Sequence, residues 1–230
     1  MLFARTGPAA ADTLSPKSAG GVTAIVLAAG ASARMGMPKP LLPLAGKPLL
    51  AHSLDALRQG GLREIVVVLG AEAERVRRVV SLDGMSVAVN PDPAQGMSSS
   101  IRAGLRAAPP ETAAFLIVLG DQPLVAPGTI RALVARQEAT GARILVPTYG
   151  GVRGNPVLLH RSLSAEMEAV RGDVGCRGVV ARHASEVMEV RVDDPGILVD
   201  VDTPDDLERL EAVLQKGLPL SRLVEGRGRR

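Results

Sequence analysis

The stretch VTAIVLAAGASARMGMPKPLL, residues 22–42, joins a run of apolar residues directly to a loop of small residues. A continuous Val, Ile and Leu run that ends at glycine is typical of a strand buried on both faces of a parallel sheet. Small residues beyond the strand let a ligand approach the backbone, whose amide groups can donate to oxygen atoms. Arg34 and Lys39 follow the first glycine and suit phosphate oxygens. The stretch therefore predicts a strand and a loop that wraps a polyanion.

A second interpretation of this loop is a tight turn between strand and helix whose cations are simply solvated. For a single glycine-containing loop the two interpretations have about equal weight. The spacing matches neither the G-x-x-x-x-G-K-[ST] loop nor the G-x-G-x-x-G fingerprint. An ordinary P-loop or dinucleotide site is therefore not supported.

The composition of the 230 residues is that of one globular α/β domain. Aromatic residues make up 1% of the chain, which argues against the stacking platforms of single-stranded nucleic-acid binders. The net charge of +3 resides largely in the terminal EGRGRR and gives no reason to expect nucleic-acid binding. Cys176 is the single cysteine, which excludes a disulfide framework and fits a reducing cytoplasm. No run approaches the roughly 20 apolar residues of a membrane span, so we expect no membrane contact.

The order of apolar runs and helical patterns predicts an α/β fold. Strands are predicted at residues 22–30, 63–70, 85–90, 114–121 and 142–148, and helices at 47–59, 71–81, 98–108 and 127–139. Such alternation implies right-handed crossovers and a three-layer sandwich around a mostly parallel sheet. Residues 1–20 are predicted to be a disordered leader, 21–216 a single domain, and 217–230 a basic tail.

The rhythm of the elements changes after Tyr149. Residues 150–160 predict a turn and a strand, which we expect to be an antiparallel addition to the sheet. The patterns then predict helices at 162–171 and 176–184, strands at 185–192 and 196–202, and a closing helix at 203–216. Thr203 is the expected N-cap of that helix, with Pro204 at its first position.

Ligands of open α/β sheets bind beyond the carboxyl ends of the strands, so the residues that follow each strand are candidates for the site. Asp121 follows a hydrophobic strand and suits Mg²⁺, although an Asp that forms a turn before proline is a common alternative. Asp200 and Asp202 would share one face of a strand, and Asp202 either completes the metal site or precedes the helix cap. The segment from Gly96 to Ser100 offers hydroxyls to a ribose or base edge, or one serine caps the helix.

Two glycine-rich loops in the second half are plain turns or surround an acceptor substrate. They contain Asn155 in one loop, and Asp173 and Arg177 in the other. His52, His160 and His183 are not spaced for a metal, and we expect each to be structural. Cys176 has no base partner in the sequence and is not proposed as a nucleophile.

Six motifs in order resemble the MobA-like nucleotidyltransferases, in the branch that contains molybdenum cofactor cytidylyltransferase. They are LAAGASARMGMPK, GMSSSIRAGL, LGDQP, RGNPVLL, GDVGCRG and DVDTPDDL, and the resemblance covers about residues 22–214. Relatives that attach guanine nucleotides tend to carry two glycines in the first loop. This chain has Ala28-Ala29 before Gly30, which favours CTP over GTP.

The resemblance implies a Rossmann-like nucleotidyltransferase sheet and a reaction in which CTP and molybdenum-loaded molybdopterin give a cytosine dinucleotide cofactor and pyrophosphate. It implies catalytic roles for Arg34, Lys39 and Asp121, and Mg²⁺ or Mn²⁺ held by Asp121 and Asp202. The nucleotide-binding residues that it implies are Leu27, Ala28, Ala29, Gly30, Arg34, Lys39, Asn90, Gly96, Ser98 and Ser100. Asn155, Asp173 and Arg177 would face the acceptor, and a molybdenum hydroxylase is a possible recipient of the product.

Three alternatives differ from this hypothesis in class or in substrate. A transferase of the same fold could use GTP or another phosphorylated acceptor. Some chains that resemble this family are described as NAD(P)H-dependent reductases, although no dinucleotide fingerprint follows the first strand here. A non-catalytic carrier of molybdopterin would bind without releasing pyrophosphate, but carriage alone needs no metal-binding carboxylate.

Overall fold

The computed structural model describes residues 21–30 and 37–225 of the chain. The strands in these residues are β1 (Val22–Ala28), β2 (Pro43–Leu44), β3 (Lys47–Pro48), β4 (Glu64–Leu69), β5 (Ser86–Val89), β6 (Ala114–Leu119), β7 (Ile144–Tyr149), β8 (Val152–Arg153), β9 (Val157–His160) and β10 (Val187–Arg191). The α-helices are α1 (Leu49–Gln59), α2 (Ala73–Val79), α3 (Met97–Ala107), α4 (Pro127–Thr140), α5 (Ser164–Ala169), α6 (Arg177–Arg182) and α7 (Pro204–Gln215). Each predicted helix is therefore present within a few residues of its expected bounds.

One mixed sheet forms the centre of the fold, with strand order β10-β7-β9-β6-β1-β4-β5. The neighbours β6, β1, β4 and β5 are parallel, and β10 is parallel to β7. β9 is antiparallel to both β6 and β7, and the short β8 pairs antiparallel with β7. The prediction of a mostly parallel sheet with an antiparallel addition in the C-terminal half is confirmed. A small hairpin of β2 and β3, which the sequence patterns did not predict, stands apart from it.

Helices cover both faces of the sheet because successive side chains of each buried strand point to opposite sides. Ala24 and Val26 of β1 pack in one core cluster with apolar residues of α1, α2 and α4. Ile25 of the same strand packs in a second cluster with residues of α3, α5 and α6. The chain is therefore a three-layer α/β sandwich, as the alternating elements predict.

A third, smaller cluster joins the closing helix to the hairpin, and its buried members are Leu42, Leu44, Leu49, Val201 and Leu210. Thr203 caps α7 as predicted: its side chain accepts from the backbone N–H of Asp206, and the Asp206 carboxylate accepts from the backbone N–H of Thr203. This capping box satisfies amides that α7 cannot bond internally. It fixes the direction in which the chain leaves Asp202.

The strand predicted at residues 196–202 is wrong. The segment begins with a short 3₁₀ helix, Pro195–Leu198, and then runs without pairing into a strand. Buried Asp194 accepts from the backbone N–H of Gly196, which turns the chain. The backbone N–H of Val201 bonds to the carbonyl oxygen of Asp121 and not to a neighbouring strand. An apolar run that alternates with carboxylates therefore marks a loop held against β6, not a strand.

The predicted leader and basic tail lie at the two ends of the chain. The leader predicted at residues 1–20 lies outside the described residues and stays a prediction. Beyond α7 the chain continues through a short 3₁₀ helix, Leu220–Leu223, and Leu223 packs against the third cluster. Among the residues described, no helix is both long enough and apolar enough to cross a membrane.

Candidate active site

A pocket lies at the carboxyl ends of β1 and β6, which end side by side because they are parallel neighbours. Its volume is about 370 Å³. The described residues that line it are Leu27, Ala28, Ala29, Gly30, Lys39, Pro40, Pro93, Ala94, Gly96, Met97, Ser100, Leu119, Gly120, Asp121 and Asp173. Most of this wall is backbone and small or apolar side chains, while the charged groups are confined to Lys39, Asp121 and Asp173.

Glycines on the two neighbouring strands let the Ala28-Ala29 loop pack tightly between them. A Cβ atom at Gly120, after β6, would lie 3.0 Å from the carbonyl oxygen of Leu27 and 3.1 Å from the Cβ atom of Ala28. A Cβ atom at Gly70, after β4, would lie 2.8 Å from the carbonyl oxygen of Ala29. A side chain at either position would push the backbone apart, so the close packing of the pocket floor requires glycine at both.

Lys39 joins two carboxylates that are distant in the sequence. Its Nζ atom donates to Oδ2 of Asp121 at 3.0 Å and to Oδ1 of Asp202 at 2.8 Å. The side chains of Lys39 and Asp121 are 22% and 28% exposed, whereas that of Asp202 is 65% exposed. The three charges therefore form one cluster on the open side of the pocket, where solvent and a ligand can reach them.

The electrostatics of this cluster favour a positive charge between the carboxylates. Burial on its own would lower the pKa of the Lys39 ammonium, but the charges and hydrogen bonds of Asp121 and Asp202 outweigh burial and raise that pKa. Two carboxylates that converge on one cationic atom can also converge on a divalent ion, which takes one or two carboxylates together with substrate phosphates. The residues present therefore fit a Mg²⁺ or Mn²⁺ site.

Backbone contacts, not strand pairing, bring Asp202 to this position. The Val201 amide bonds to the carbonyl oxygen of Asp121 at 3.0 Å, which aligns the segment with the end of β6. The side-chain amide of buried Gln122 donates to Oδ1 of Asp200 at 2.5 Å. Asp200 is thus held by a half-buried hydrogen bond, and the carboxylate of Asp202 contacts Lys39.

The serines after β5 lie inside the first turn of α3 and do not cap it. The N-cap position is Gly96, which makes no side-chain cap, so the expectation of a capping serine is wrong. Asn90 instead binds the serines: its Nδ2 atom donates to Oγ of Ser99 at 2.7 Å and to Oγ of Ser100 at 3.0 Å. All three residues of this contact are buried, with Asn90 3%, Ser99 8% and Ser100 6% exposed.

Asp173 supplies the cap that the serines do not. Its Oδ1 atom accepts from the backbone N–H of Met97 at 3.0 Å, at the positive end of the α3 dipole. Gly96 adopts a left-handed φ of 85°, and a Cβ atom there would lie 2.5 Å from the same carboxylate oxygen. The absence of that atom lets the 3₁₀ helix Gly172–Val174 close against α3 and places Asp173 in the pocket wall.

The predicted site residues fall into four groups. Those that line the pocket are Leu27, Ala28, Ala29, Gly30, Lys39, Gly96, Ser100, Asp121 and Asp173. Asn90, Ser98 and Asp202 are not lining residues. Asn90 and Ser98 are buried, and Asn90 donates to the lining residue Ser100. Asp202 accepts from the lining residue Lys39. Asn155 and Arg177 do not line it: the Asn155 amide bonds to the carbonyl oxygen of Ile197, and Arg177 is exposed at the start of α6. Arg34 lies outside the described residues.

Some residues of the site escaped the motif-based prediction. Pro40, Pro93, Ala94, Met97, Leu119 and Gly120 line the pocket, and each stands within three residues of a residue that was predicted. Gln122 and Asp200 support Asp202 from beneath. The six lining residues could have been predicted from their position next to the motifs. Nothing in the sequence indicates that Gln122 contacts Asp200.

The three histidines form hydrogen bonds within the fold, and the cysteine is buried. His52 bonds to the carbonyl oxygen of Leu44, and the His160 side chain accepts from the Ser162 amide. His183 contacts the carboxylates of Glu166 and Glu186. Burial raises the pKa of the Cys176 thiol to about 12, so it stays protonated at neutral pH. Within the described ranges, no three His, Cys, Asp or Glu side chains are grouped to hold a metal ion.

The family described as the MobA-like NTP transferase domain matches residues 24–187, which include the first loop, the serine segment and Asp121. The chain belongs to this family. The predicted nucleotidyltransferase is thereby confirmed at the level of the family, as is the resemblance stated above. The match covers the sheet strands from β1 to β9 and the helices between them.

The named relatives of the chain include an oxidoreductase and a bifunctional protein. Nicotine blue oxidoreductase of Paenarthrobacter nicotinovorans is 34% identical over 199 residues, which cover 82% of this chain and 96% of that protein. The bifunctional protein GlmU of Paraburkholderia xenovorans is 37% identical over 132 residues, which are 56% of this chain but 29% of that protein. The chain therefore matches only a part of GlmU but nearly all of the oxidoreductase.

Solved structures with the same fold include Rv0371c of Mycobacterium tuberculosis H37Rv, with 36% identity and a TM-score of 0.76 over 84% of this chain and 98% of that one. The same protein in complex with manganese has a TM-score of 0.72 at 34% identity, again over 84% and 98%. Molybdopterin-guanine dinucleotide biosynthesis protein A of Archaeoglobus fulgidus superposes with a TM-score of 0.61 over 85% of this chain and 99% of that one. Its 22% identity makes it a likeness of fold alone.

Proposed function

We propose that the protein transfers CMP from CTP to the terminal phosphate of molybdenum-loaded molybdopterin and releases pyrophosphate. A phosphate oxygen of the acceptor forms a bond to the α-phosphorus of CTP, and the bond from that phosphorus to the bridging oxygen of pyrophosphate breaks. The observation that carries the proposal is the Lys39 ammonium between Asp121 and Asp202, at the mouth of a pocket whose floor is the Ala28-Ala29 backbone.

A divalent ion held by Asp121 and Asp202 would neutralise charge on the triphosphate during the transfer. Two carboxylates within hydrogen-bond reach of one cationic atom support this assignment. A relative, Rv0371c, has been crystallised with manganese. We propose that Mg²⁺ or Mn²⁺ serves here, with Lys39 turning to the phosphates when the ion is bound.

The remaining chemistry needs position and charge more than proton transfer. The acceptor phosphate is ionised at neutral pH, so the reaction requires no general base. Lys39, together with Arg34 from the first loop, would stabilise the charge that develops on the departing pyrophosphate. The pocket would hold both substrates in line, which supplies the entropic part of the rate enhancement.

The choice of CTP rests on the first loop. Ala28 fills the space between the ends of β1 and β6, where the Gly120 position already leaves no spare room. A side chain at Ala28 and Ala29, in place of two glycines, narrows the approach to the backbone, and we propose that this favours the smaller pyrimidine. Ser100 and the Gly96 loop would contact the nucleoside from the opposite wall.

The acceptor would enter from the side of Asp173. This residue lines the pocket at the N-terminus of α3. Arg177 begins the helix that follows the same glycine-rich loop and is exposed to solvent. Asn155 does not line the pocket, and its backbone N–H bonds to the carbonyl oxygen of Ile197; its loop would contact the acceptor outside the pocket.

Pyrophosphate release tests the proposal directly. Purified protein, Mg²⁺ and molybdenum-loaded molybdopterin are combined in parallel with CTP, GTP or ATP. We expect release with CTP alone. Release with GTP or ATP would keep the mechanism and change the nucleotide, whereas no release with any of them would contradict the transferase function for this acceptor.

An oxidoreductase is the second candidate, because the curated relative that matches nearly its full length is named nicotine blue oxidoreductase. A reductase of this fold would place NAD(P)H in the same pocket and would not depend on Asp202. Loss of absorbance at 340 nm with NADH or NADPH and oxidised dye acceptors would support it. No consumption of either nucleotide, together with pyrophosphate release from CTP, would eliminate it.

A further inference from the structure

A chain of hydrogen bonds leads from the loop after β5 into the pocket wall. The backbone N–H of Asp92 donates to Oδ1 of Asn90 at 3.0 Å. The Nδ2 atom of the same amide donates to Ser99 and to Ser100. Because a backbone N–H can only donate, the first contact identifies which end of the Asn90 amide is oxygen and which is nitrogen.

This orientation fixes the roles of both serine hydroxyls. Each serine oxygen accepts a hydrogen from Asn90, so its own hydrogen must point elsewhere. Ser99 donates to the carbonyl oxygen of Gly96 at 2.8 Å and is satisfied. Ser100 has no acceptor within the parts of the chain that the structure describes, although the residue lines the pocket and is 6% exposed.

We infer that Asn90 is a positioning residue that makes Ser100 a hydrogen-bond donor toward the bound nucleotide. The inference rests on the proposed nucleotide function of the pocket. The group that Ser100 would recognise is an acceptor on the edge of a pyrimidine, a carbonyl oxygen or an unprotonated ring nitrogen. With both hydrogens of the Asn90 amide committed, the Ser100 hydroxyl cannot turn to accept from a donor edge without breaking a buried bond.

The substitution Asn90→Asp tests this role, because it keeps the shape of the side chain and replaces the donating NH₂ group by an accepting oxygen. In Asn90→Asp the second carboxylate oxygen replaces Nδ2, so Ser100 must donate to it and presents only lone pairs to the pocket. Ser100→Ala removes the hydroxyl altogether. The double variant Asn90→Asp with Ser100→Ala carries the same added charge but has no hydroxyl to reverse, and it is the matched control.

Affinity for CTP is measured by titration calorimetry in the four proteins, with thermal midpoints to verify folding. Loss of one neutral donor in Ser100→Ala should weaken binding about three- to tenfold. Asn90→Asp should weaken binding at least about tenfold when Ser100 is present and less than about threefold when residue 100 is alanine. Equal losses in both backgrounds would overturn the inference, since charge or disturbed packing alone acts independently of the hydroxyl.

Two further measurements separate this inference from the function it rests on. If CTP does not bind but GTP, ATP or NADPH does, the assignment of CTP fails and the same four proteins are titrated with the ligand that binds. The difference between the effects of Asn90→Asp with and without the Ser100 hydroxyl then decides the role of Asn90. If Asn90→Asp does not fold, Asn90→Ala replaces it, and removal of the Ser100 hydroxyl should then cost less than in the native background. An unchanged cost would contradict the inference, as would failure of all four nucleotides to bind.

Discussion

At the scale of single residues, the Lys39 ammonium occupies the place between Asp121 and Asp202 that a divalent ion would take. The ammonium lies within 3.0 Å of both carboxylates and offsets one of their two negative charges, which lessens the repulsion between them. In the mechanism proposed above, a divalent ion would displace the ammonium, which would then turn to the triphosphate. Metal and nucleotide binding would thus be coupled through this one side chain.

Replacing Lys39 by alanine should separate these two roles. Turnover should lose about 2–4 kcal/mol of transition-state stabilisation, as for other preorganised charge donors. Binding of Mn²⁺ without nucleotide should become tighter, because the competing ammonium is gone. Electron paramagnetic resonance of free Mn²⁺ measures the second effect, with the exposed Lys216→Ala as control. Weaker Mn²⁺ binding in Lys39→Ala would contradict the proposal that the ion displaces the Lys39 ammonium.

Asp121→Ala should abolish turnover that depends on the divalent ion and weaken Mn²⁺ binding, while the fold remains intact. The carboxylate is 28% exposed and lies after β6, so its removal leaves no unpaired buried group in the core. The exposed Asp193→Ala removes the same charge elsewhere and serves as control. Native rates and native Mn²⁺ affinity in Asp121→Ala would refute the metal assignment.

At the scale of elements, α7 serves the site although it contributes no residue to the pocket wall. The Asp206 carboxylate accepts from the backbone N–H groups of both Asp202 and Thr203. The helix start therefore fixes the backbone that carries Asp202 to Lys39. The helix cap and the carboxylate proposed to bind the metal thus belong to one continuous segment.

Thr203→Ala should lower the free energy of unfolding by about 1 kcal/mol, the usual cost of a lost N-cap. Thr203→Ser keeps the hydroxyl and should stay close to the native stability. Urea denaturation followed by circular dichroism measures both. A loss in Thr203→Ser as large as that in Thr203→Ala would show that the methyl group, not the cap, carries the effect.

The network around His183 joins α5 to the end of α6 and predicts a dependence on pH. Hydrogen bonds that the His183 ring donates to the carboxylates of Glu186 and Glu166 raise the pKa of His183. The bond to His183, followed by those of the neighbouring arginines, lowers the pKa of both carboxyls. The contribution of a His whose pKa is raised on folding is complete below its unfolded pKa of about 6.5 and is lost as pH rises through the folded pKa.

His183→Gln tests that dependence because it removes the charge and keeps a polar side chain. We expect the native protein to exceed the variant in thermal midpoint at pH 6, and the difference to be smaller at pH 9. As pH falls below the ordinary range of a glutamate, the difference should shrink again because Glu166 and Glu186 become protonated. A difference that is constant from pH 5 to pH 9 would show that the network is not charge-dependent.

At the scale of the whole molecule, the sheet could be predicted from the sequence and the assembled site only in part. The buried runs of β1, β4 and β6 are continuous and unambiguous; Asp121 stands two residues beyond β6, and Lys39 lies in the segment that follows β1. The contact from Lys39 to Asp202 spans 163 positions, and that from Met97 to Asp173 spans 76. Such contacts depend on how loops pack across the sheet edge, which local patterns do not encode.

The failed strand at residues 196–202 shows the same limit. Its alternating apolar and acidic residues satisfy the strand pattern, yet Asp194 bonds to Gly196, Ala126 and Thr129 and turns the segment toward α4. A Cβ atom at Gly196 would lie 2.1 Å from the carbonyl oxygen of Leu124, so the turn also needs a glycine there. Tertiary bonds to a buried carboxylate outweighed local propensity.

The third cluster connects the C-terminal segment to the site, and truncation tests this connection. Leu223 packs against the cluster that contains Val201, next to Asp202. Removing residues 217–230 should lower the free energy of unfolding by about 1–2 kcal/mol, because Leu223 no longer covers apolar surface. It should also weaken Mn²⁺ binding through Asp202. Removing only residues 226–230 spares Leu223 and should change neither quantity in urea denaturation or Mn²⁺ titration; equal losses in the two truncations would assign the effect to the basic terminus.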